Sequence, residues 1–298
     1  MLKGDSLPGR IEHVINQEQN DALKDDTVFL GIVSQHLGHW KKTCSHFKYR
    51  VKHGSPVFKG LIVPNIILAT LKLKHYRYGG ADCKFDERIS TPLCEIMGRN
   101  KSDKAETSRK KWHNYTIFYY QMFKAIQYNS LRIFELGLGT NNINIPSNMG
   151  VNGRPGASLY GWSEFFINSK IYGADIDTQI LFKSDKIKTY YCDQTNPSII
   201  KNMWDEQELQ EPFDIIIDDG LHEFTANMCF FENSIHKLKE NGFYIIEDII
   251  HSKIPLFENK IKELKTTCPH LIFRLFQIPS QSNKYDNNLM VIKNAGTR

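Results

Sequence analysis

From about Arg132 onward, apolar residues fall in short β-rich runs separated by stretches whose apolar positions recur every three or four residues. The runs are RIFEL (132–136), KIYGAD (170–175), IKTYYC (187–192), FDIIID (213–218) and GFYIIE (242–247). Such alternation predicts an α/β fold around a parallel sheet, since each parallel strand needs a crossover to bring the chain back to its starting edge. Apolar residues at 224, 228, 231, 235 and 238 mark one face of a helix from Phe224 to Leu238, with Asn241-Gly242 as its stop signal. Further helices are expected over Trp112 to Tyr128 and around Pro255 to Leu264. The tail changes pattern: HLIFRLFQ (270–277), then turn-rich SQSNKYDNN, then LMVIK (289–293). That connection is too short for a crossover helix, so the two runs should pair as an antiparallel hairpin.

The first 110 residues lack this rhythm. They suggest a helix near Thr27 to Leu37, a basic aromatic stretch HWKKTCSHFKYRVKH and a helix after Pro64. Residues 1–110 are therefore expected to form a mostly helical accessory region ahead of an α/β domain at 111–298. Composition adds exclusions: 41% hydrophobic and 24% charged residues over 298 positions indicate a globular chain with a sizeable core. The longest apolar run, Leu61 to Leu71, is interrupted by Pro64 and Asn65 and falls short of the roughly 20 residues a bilayer requires. Six scattered cysteines without C-x-x-C spacing, and an N-terminus without an apolar signal region, suggest reduced thiols in a cytoplasmic protein. The net charge of +5 is mild and argues against general nucleic-acid binding.

The strand ends carry the chemistry. The first runs into FELGLGT (134–140), where Gly137 and Gly139 let the backbone turn tightly and approach a ligand. The third glycine of the dinucleotide fingerprint is replaced by Asn142, and Glu135 suits a cationic amine better than a pyrophosphate. The second strand ends at Asp175, where an acid can bond both ribose hydroxyls; the third ends at Asp193-Gln194, where an acid and an amide can meet an adenine edge. Amine, ribose and base partners together describe S-adenosylmethionine, although each acid taken alone could equally cap a helix or face water. The long connection NNINIPSNMGVNGRPG is expected to loop over this cofactor, as a lid or substrate-binding element.

The fourth strand delivers Asp218, Asp219 and His222, and the fifth delivers Glu247 and Asp248. Carboxylates gathered on neighbouring strand ends would repel one another unless a cation sat among them, and oxygen donors suit Mg²⁺ or Mn²⁺ rather than zinc. Such an ion could bind vicinal hydroxyls of an acceptor and acidify the one to be methylated. Adjacent strand residues point opposite ways, so one of Asp218 and Asp219 should face the cofactor while the other takes the metal. His222, at or just before a helix N-terminus, is expected to keep a free imidazole there and act as general base.

In order between Gly98 and Arg298, the segments GRNKSDKAE, WHNYTIFYYQMF, FELGLGT, PGASLYGW, YGADID, DQTN, DDGLH and IIEDI resemble class I S-adenosylmethionine-dependent methyltransferases. Within that class they are similar to the metal-dependent sugar O-methyltransferases that modify macrolide deoxysugars and capsular heptoses. The resemblance implies a Rossmann-like methyltransferase sheet, mostly parallel with a final antiparallel hairpin. It implies cofactor contacts near Glu135, Gly137, Asp175 and Asp193, a metal on Asp219, Glu247 and Asp248, and His222 as base. Asp218 is then left toward the cofactor. The chain departs from the pattern where relatives carry a glycine before SDK, so the segment NKSDK is assigned no ligand contact.

The expected activity is O-methylation of a sugar hydroxyl, on a nucleotide-linked or glycan-bound sugar such as a heptose, within polysaccharide biosynthesis. Lys41, Lys42, Lys48 and Arg50 would suit a diphosphate or an anionic glycan. Competing readings are a catechol or small-diol methyltransferase, a catalytically silent scaffold, a nucleic-acid binder and a dehydrogenase. A homo-oligomer is compatible with the sequence.

Overall fold

The computed structural model of the protein describes residues 90–105 and 113–296. The helix expected near Thr27 to Leu37, the basic stretch with Lys41, Lys42, Lys48 and Arg50, the helix after Pro64 and the boundary near residue 110 lie outside the described residues.

Seven strands form one sheet: β1 (Arg132–Leu136), β2 (Lys170–Asp175), β3 (Ile187–Tyr191), β4 (Phe213–Asp218), β5 (Leu238–Ile246), β6 (Leu271–Gln277) and β7 (Asn288–Asn294). Their order is β3-β2-β1-β4-β5-β7-β6, with β1 to β5 parallel and β7 antiparallel to both neighbours. The expected sheet and terminal hairpin are both present, and β7 is inserted between β5 and β6. Order reverses between β1 and β4, so the loops leaving these two strands diverge and open a crevice at the carboxyl edge. Among the described residues no helix is long and apolar enough to cross a membrane.

Both faces of the sheet are covered. Phe134, Ile216, Tyr244 and Ile246 pack into one core with α4 (Pro197–Trp204), α5 (Phe224–Ser234) and α6 (Ile254–Thr267). Alternate residues Ile133, Ile215, Ile217 and Ile245 pack into the other, against α1 (Pro92–Asn100), α2 (Tyr115–Phe123) and α3 (Ala157–Phe165). This period-two division decides where the polar residues at each strand end go. On the first face Trp204 is buried among Phe134, Phe213 and Phe230, with its indole N–H donating to Ser234 Oγ at 2.9 Å.

One local expectation changes. The helix from Phe224 stops at Ser234, and after a single 3-10 turn Leu238 already opens β5. Leu238 pairs with Phe213 and the register then shifts, with Asn241 at φ 65° inside the strand. Asn241-Gly242 is thus a strand irregularity; a Cβ on Gly242 would stand 2.9 Å from the Asp214 carbonyl oxygen. Within residues 1–110, the described segment 90–105 packs against the elements of the sheet. Thr91 caps α1 by accepting from the Cys94 N–H, and Leu93 and Met97 are buried in the same core as Leu159 and Trp162. Met97 lies so close to Gly161 that a Cβ there would meet its Sδ at 2.2 Å.

Candidate active site

The crevice at the β1–β4 divergence has a volume of about 260 Å³. Gly137 and Gly139 from β1, Asp175 and Ile176 from β2, Asp193 and Gln194 from β3, and Asp219 and His222 from the β4 loop line it, together with Asp248 after β5. The long loop after Gly139 supplies a wall through Ile145, Pro146, Ser147 and Met149, and Ser147 Oγ donates to the Leu221 carbonyl at 3.0 Å. The crevice wall carries Asp103, Asp175, Asp193, Asp219 and Asp248 and, among the described residues, neither lysine nor arginine. Such a field favours a cationic ligand.

Asp175 is buried, and burial raises its pKa. Its Oδ2 accepts from the Leu138 N–H at 2.7 Å and its Oδ1 from the Asp177 N–H at 2.9 Å. These bonds hold the carboxylate at the wall. Ile176, 46% exposed, offers an apolar surface beside it. Asp193 accepts from the backbone and hydroxyl of Thr195 at 2.9 and 2.7 Å.

Three expected cofactor residues have other engagements. Gln194 touches the crevice, but both ends of its amide are used: Nε2 donates to Asp218 Oδ1 and Oε1 accepts from the Leu221 N–H, each at 2.7 Å. Asp218 is fully buried behind the crevice, sharing the face of Ile216, and accepts as well from Asn227 at 3.0 Å and the Gly220 N–H at 3.3 Å. Burial pushes its pKa up to about 7. The expectation that Asp218 faces the cofactor is therefore corrected: strand alternation turns it toward α5. Glu135 likewise lies behind the wall, on the face of Ile133, bonded by Ser158 and Trp162 of α3.

Asp219, beyond the end of β4, turns into the crevice, where it meets the residues after β5. Asp219, Asp248 and His222 each offer one ligand atom, and these atoms all lie within 4.8 Å of one another, a spacing that fits a metal ion. His222 and Asp248 both adopt left-handed backbone, at φ 60° and 53°, which costs about 1–2 kcal/mol per residue and marks the site as constrained. Tyr115 donates to Asp248 Oδ1 at 2.8 Å, and His113 Nε2 stands 3.5 Å from Oδ2.

Glu247 is set back from this cluster. It follows the face of Ile245 into the helix-side core, where Tyr119 and Lys104 bond it. Lys104 is buried, with its Nζ 2.5 Å from Asp219 Oδ2, 2.6 Å from Glu247 Oε2 and 3.8 Å from Glu135 Oε1. Burial opposes its charge, but these carboxylates outweigh burial and hold its pKa well above the ordinary value. Burial likewise works against ionised Asp219, whose pKa is nevertheless lowered to about 2 by Lys104 and His222. Glu247 is pushed well up, by burial first.

His222 behaves opposite to the sequence-based expectation. It does precede the helix, since α5 starts at Phe224 with Glu223 as its cap. Burial disfavours its charge, yet Asp248 and Asp219, 3.5 and 3.4 Å from Nε2, raise its pKa to about 10. The partial charge of a helix end is outweighed by two full carboxylate charges at contact.

Lys104, His113, Tyr115 and Tyr119 were not anticipated as site residues. The helical pairs carried a readable signal: Tyr115 and Tyr119 are one turn apart on one helix, as are Ser158 and Trp162 on another. Polar tips at that spacing lie on one helix face: Ser158 and Trp162 meet the same acid, Glu135, and Tyr115 and Tyr119 meet the neighbouring acids Asp248 and Glu247. Lys104 lies in the SDK segment of the resemblance, which was assigned no ligand contact, and nothing local says that a lysine will be buried.

No family model matches the chain. Among curated proteins it is similar to the 8-demethyl-8-alpha-L-rhamnosyl tetracenomycin-C 2'-O-methyltransferase of Streptomyces olivaceus, at 28% identity over 167 residues, covering 55% of this chain and 41% of that one. It is also similar to the L-olivosyl-oleandolide 3-O-methyltransferase of Streptomyces antibioticus, at 30% identity over 167 residues, 55% of this chain and 39% of that one. The chain thus spans about two fifths of the length of the curated relatives it matches. Among solved structures, the MycE methyltransferase from the mycinamycin biosynthetic pathway, in complex with Mg and SAH, superposes with a TM-score of 0.54 at 22% identity, covering 69% of this chain and 55% of that one. The fold is that of a Rossmann-like methyltransferase. Over the matched stretch the sequence is similar to sugar O-methyltransferases.

Proposed function

We propose that the protein is an S-adenosylmethionine-dependent, divalent-metal-assisted O-methyltransferase acting on a sugar hydroxyl. The observation that carries this reading is the meeting of Asp219, Asp248 and His222 at one side of an acidic, glycine-floored crevice. A cofactor bearing a sulfonium and an amine fits that field, whereas the pyrophosphate of a nicotinamide dinucleotide would be repelled. A hard divalent ion suits the donors, and the cluster already holds a cation in the Lys104 ammonium.

In this reading Gly137 and Gly139 form the floor for the cofactor, with Asp175 toward the ribose and Ile176 and Asp193 toward the base. Asp219 and Asp248 would hold a divalent ion, with Glu247 behind them. The bound ion would supply Lewis acidity to an acceptor hydroxyl and offset the carboxylates that keep His222 charged. His222 then accepts the hydroxyl proton at Nε2, the nitrogen it directs at Asp219 and Asp248. The wall formed by Ile145, Pro146, Ser147 and Met149 excludes water from one side of the crevice.

The acceptor is a nucleotide-activated or glycan-bound sugar, a heptose among the candidates, modified in the cytoplasm during polysaccharide synthesis. The similarity to methyltransferases whose names specify sugar-bearing substrates supports a sugar hydroxyl as the acceptor. The test is incubation with S-adenosylmethionine, Mg²⁺ and a panel of sugar nucleotides including GDP-heptoses, with catechol as a control, read by mass spectrometry for one added methyl group. Product should require a sugar acceptor and disappear with EDTA. His222→Ala should abolish transfer while calorimetry still shows cofactor binding. Methylation of catechol alone would overturn the acceptor class, and full activity of His222→Ala would overturn the base.

A further inference from the structure

Lys104 sits where the carboxylate cluster needs positive charge. Its ammonium bridges Asp219 Oδ2 and Glu247 Oε2, and the second oxygen of Glu247 accepts from Tyr119. Both oxygens of Glu247 are thus engaged within the protein, and Asp219, whose Oδ2 is held by Lys104, has its Oδ1 3.4 Å from His222 Nε2. A divalent ion taking Asp219 and Glu247 together would share oxygens with this ammonium. Two cations on the same carboxylates repel one another strongly in a site screened from water. A third acid is within reach of Lys104, because Glu135 Oε1, which also accepts from Ser158, lies 3.8 Å from its Nζ and both side chains are buried.

We propose that Lys104 is a displaceable internal counter-ion: it holds Asp219 and Glu247 in place while the metal is absent, and yields them to the divalent ion by withdrawing toward Glu135. Metal binding is then an exchange of cations. This explains how four acids can be packed together in the metal-free protein without unfolding the edge of the sheet. It also assigns a task to Glu135, which the wall of the crevice excludes from ligand contact. Exchange further ties the segment Ser102–Lys104 to the metal, and Ser102 and Asp103 themselves line the crevice. The proposal rests on the reading that a divalent ion binds at Asp219 and Asp248.

The experiment is calorimetric titration of Mg²⁺, and in parallel Mn²⁺, into the full chain and its Lys104→Met and Asp219→Asn variants, with thermal melts in EDTA and in Mg²⁺. Methionine keeps an unbranched stem, one atom shorter, and removes the competing charge. Lys104→Met should bind the ion at least tenfold more tightly. It should melt well below the parent in EDTA and recover in Mg²⁺, because its buried carboxylates then depend on the metal. If it does not fold in EDTA, it is prepared in Mg²⁺ and its affinity read by competition with a chelating dye. Equal or weaker ion binding by Lys104→Met would overturn the exchange and make Lys104 a fixed cation. Absence of ion binding in both parent and Lys104→Met, or binding unchanged in Asp219→Asn, would overturn the metal reading itself and the exchange with it.

Discussion

Gly137 and Gly139 both line the crevice with left-handed backbone, at φ +91° and +74°, yet alanine should be far worse at the first. A Cβ on Gly137 would lie 1.9 Å from the Asp219 carbonyl oxygen and 2.6 Å from its carbon. Cβ contacts under 3.0 Å are essentially never seen, so the β4 loop would have to retreat by about 1 Å. That loop is pinned, with the Asp219 N–H donating to the Leu136 carbonyl at 2.9 Å and its carboxylate held by Lys104. Left-handed strain costs about 1–2 kcal/mol and overpacking against an immobile neighbour about 1–3 kcal/mol, so Gly137→Ala should lose about 2–5 kcal/mol. At about 2–4 °C per kcal/mol for a domain of this size, the melting temperature falls by roughly 10 °C. On Gly139 the new Cβ would meet Sδ of Met149 at 1.9 Å, the far part of a flexible side chain that can swing aside. Only the backbone strain remains there, about 1–2 kcal/mol. Urea unfolding of both variants, with unchanged m-values, measures the difference. Gly137→Ala losing no more stability than Gly139→Ala would refute the argument that pinned backbone, rather than backbone angle, sets the cost.

Two further perturbations follow from buried polar groups. Lys293 of β7 is buried over the Phe243 ring, 5.1 Å from its centroid, and burial lowers its pKa from 10.5 to about 8. Below pH 8 the fold must accommodate an ammonium it disfavours, and between about 8 and 10.5 the unfolded chain binds more protons, so stability rises with pH across that window. Lys293→Met should lack this rise and be on the order of 2–3 kcal/mol more stable at pH 7, as urea melts at pH 7 and pH 10 would show. Gln194→Ala should remove both bonds of the clasp between β3 and the β4 loop, costing about 1–3 kcal/mol and accelerating hydrogen exchange at the Leu221 amide. An unchanged exchange rate there would mean that the clasp does not order the loop.

The sheet was readable because its signals are local. RIFEL, KIYGAD, IKTYYC and FDIIID match β1 to β4 closely, and the short SQSNKYDNN connection correctly implied a hairpin. Strand ends were readable for the same reason, which is why Asp175, Asp193, Asp219, His222 and Asp248 were found at the crevice. Errors arose where packing overrode a local signal. Asn241-Gly242 reads as a helix stop, but the pairing of Leu238 with Phe213 draws the chain into β5 earlier.

The sequence by itself determined the elements, their parallel order of appearance and the crowd of acids at one edge, since periodicity and strand ends depend on neighbours along the chain. The division of labour within that crowd was decided only by tertiary structure. Asp218 faces α5, while Glu135 and Glu247 face the aromatic helices. The charge of His222 follows from two carboxylates on different strands rather than from the helix it precedes. Lys104 reaches Asp219 across 115 residues and Glu247 across 143. Electrostatic pairing acts through space at a few ångströms, whatever the separation along the chain, so it becomes legible only once the fold has brought the partners together.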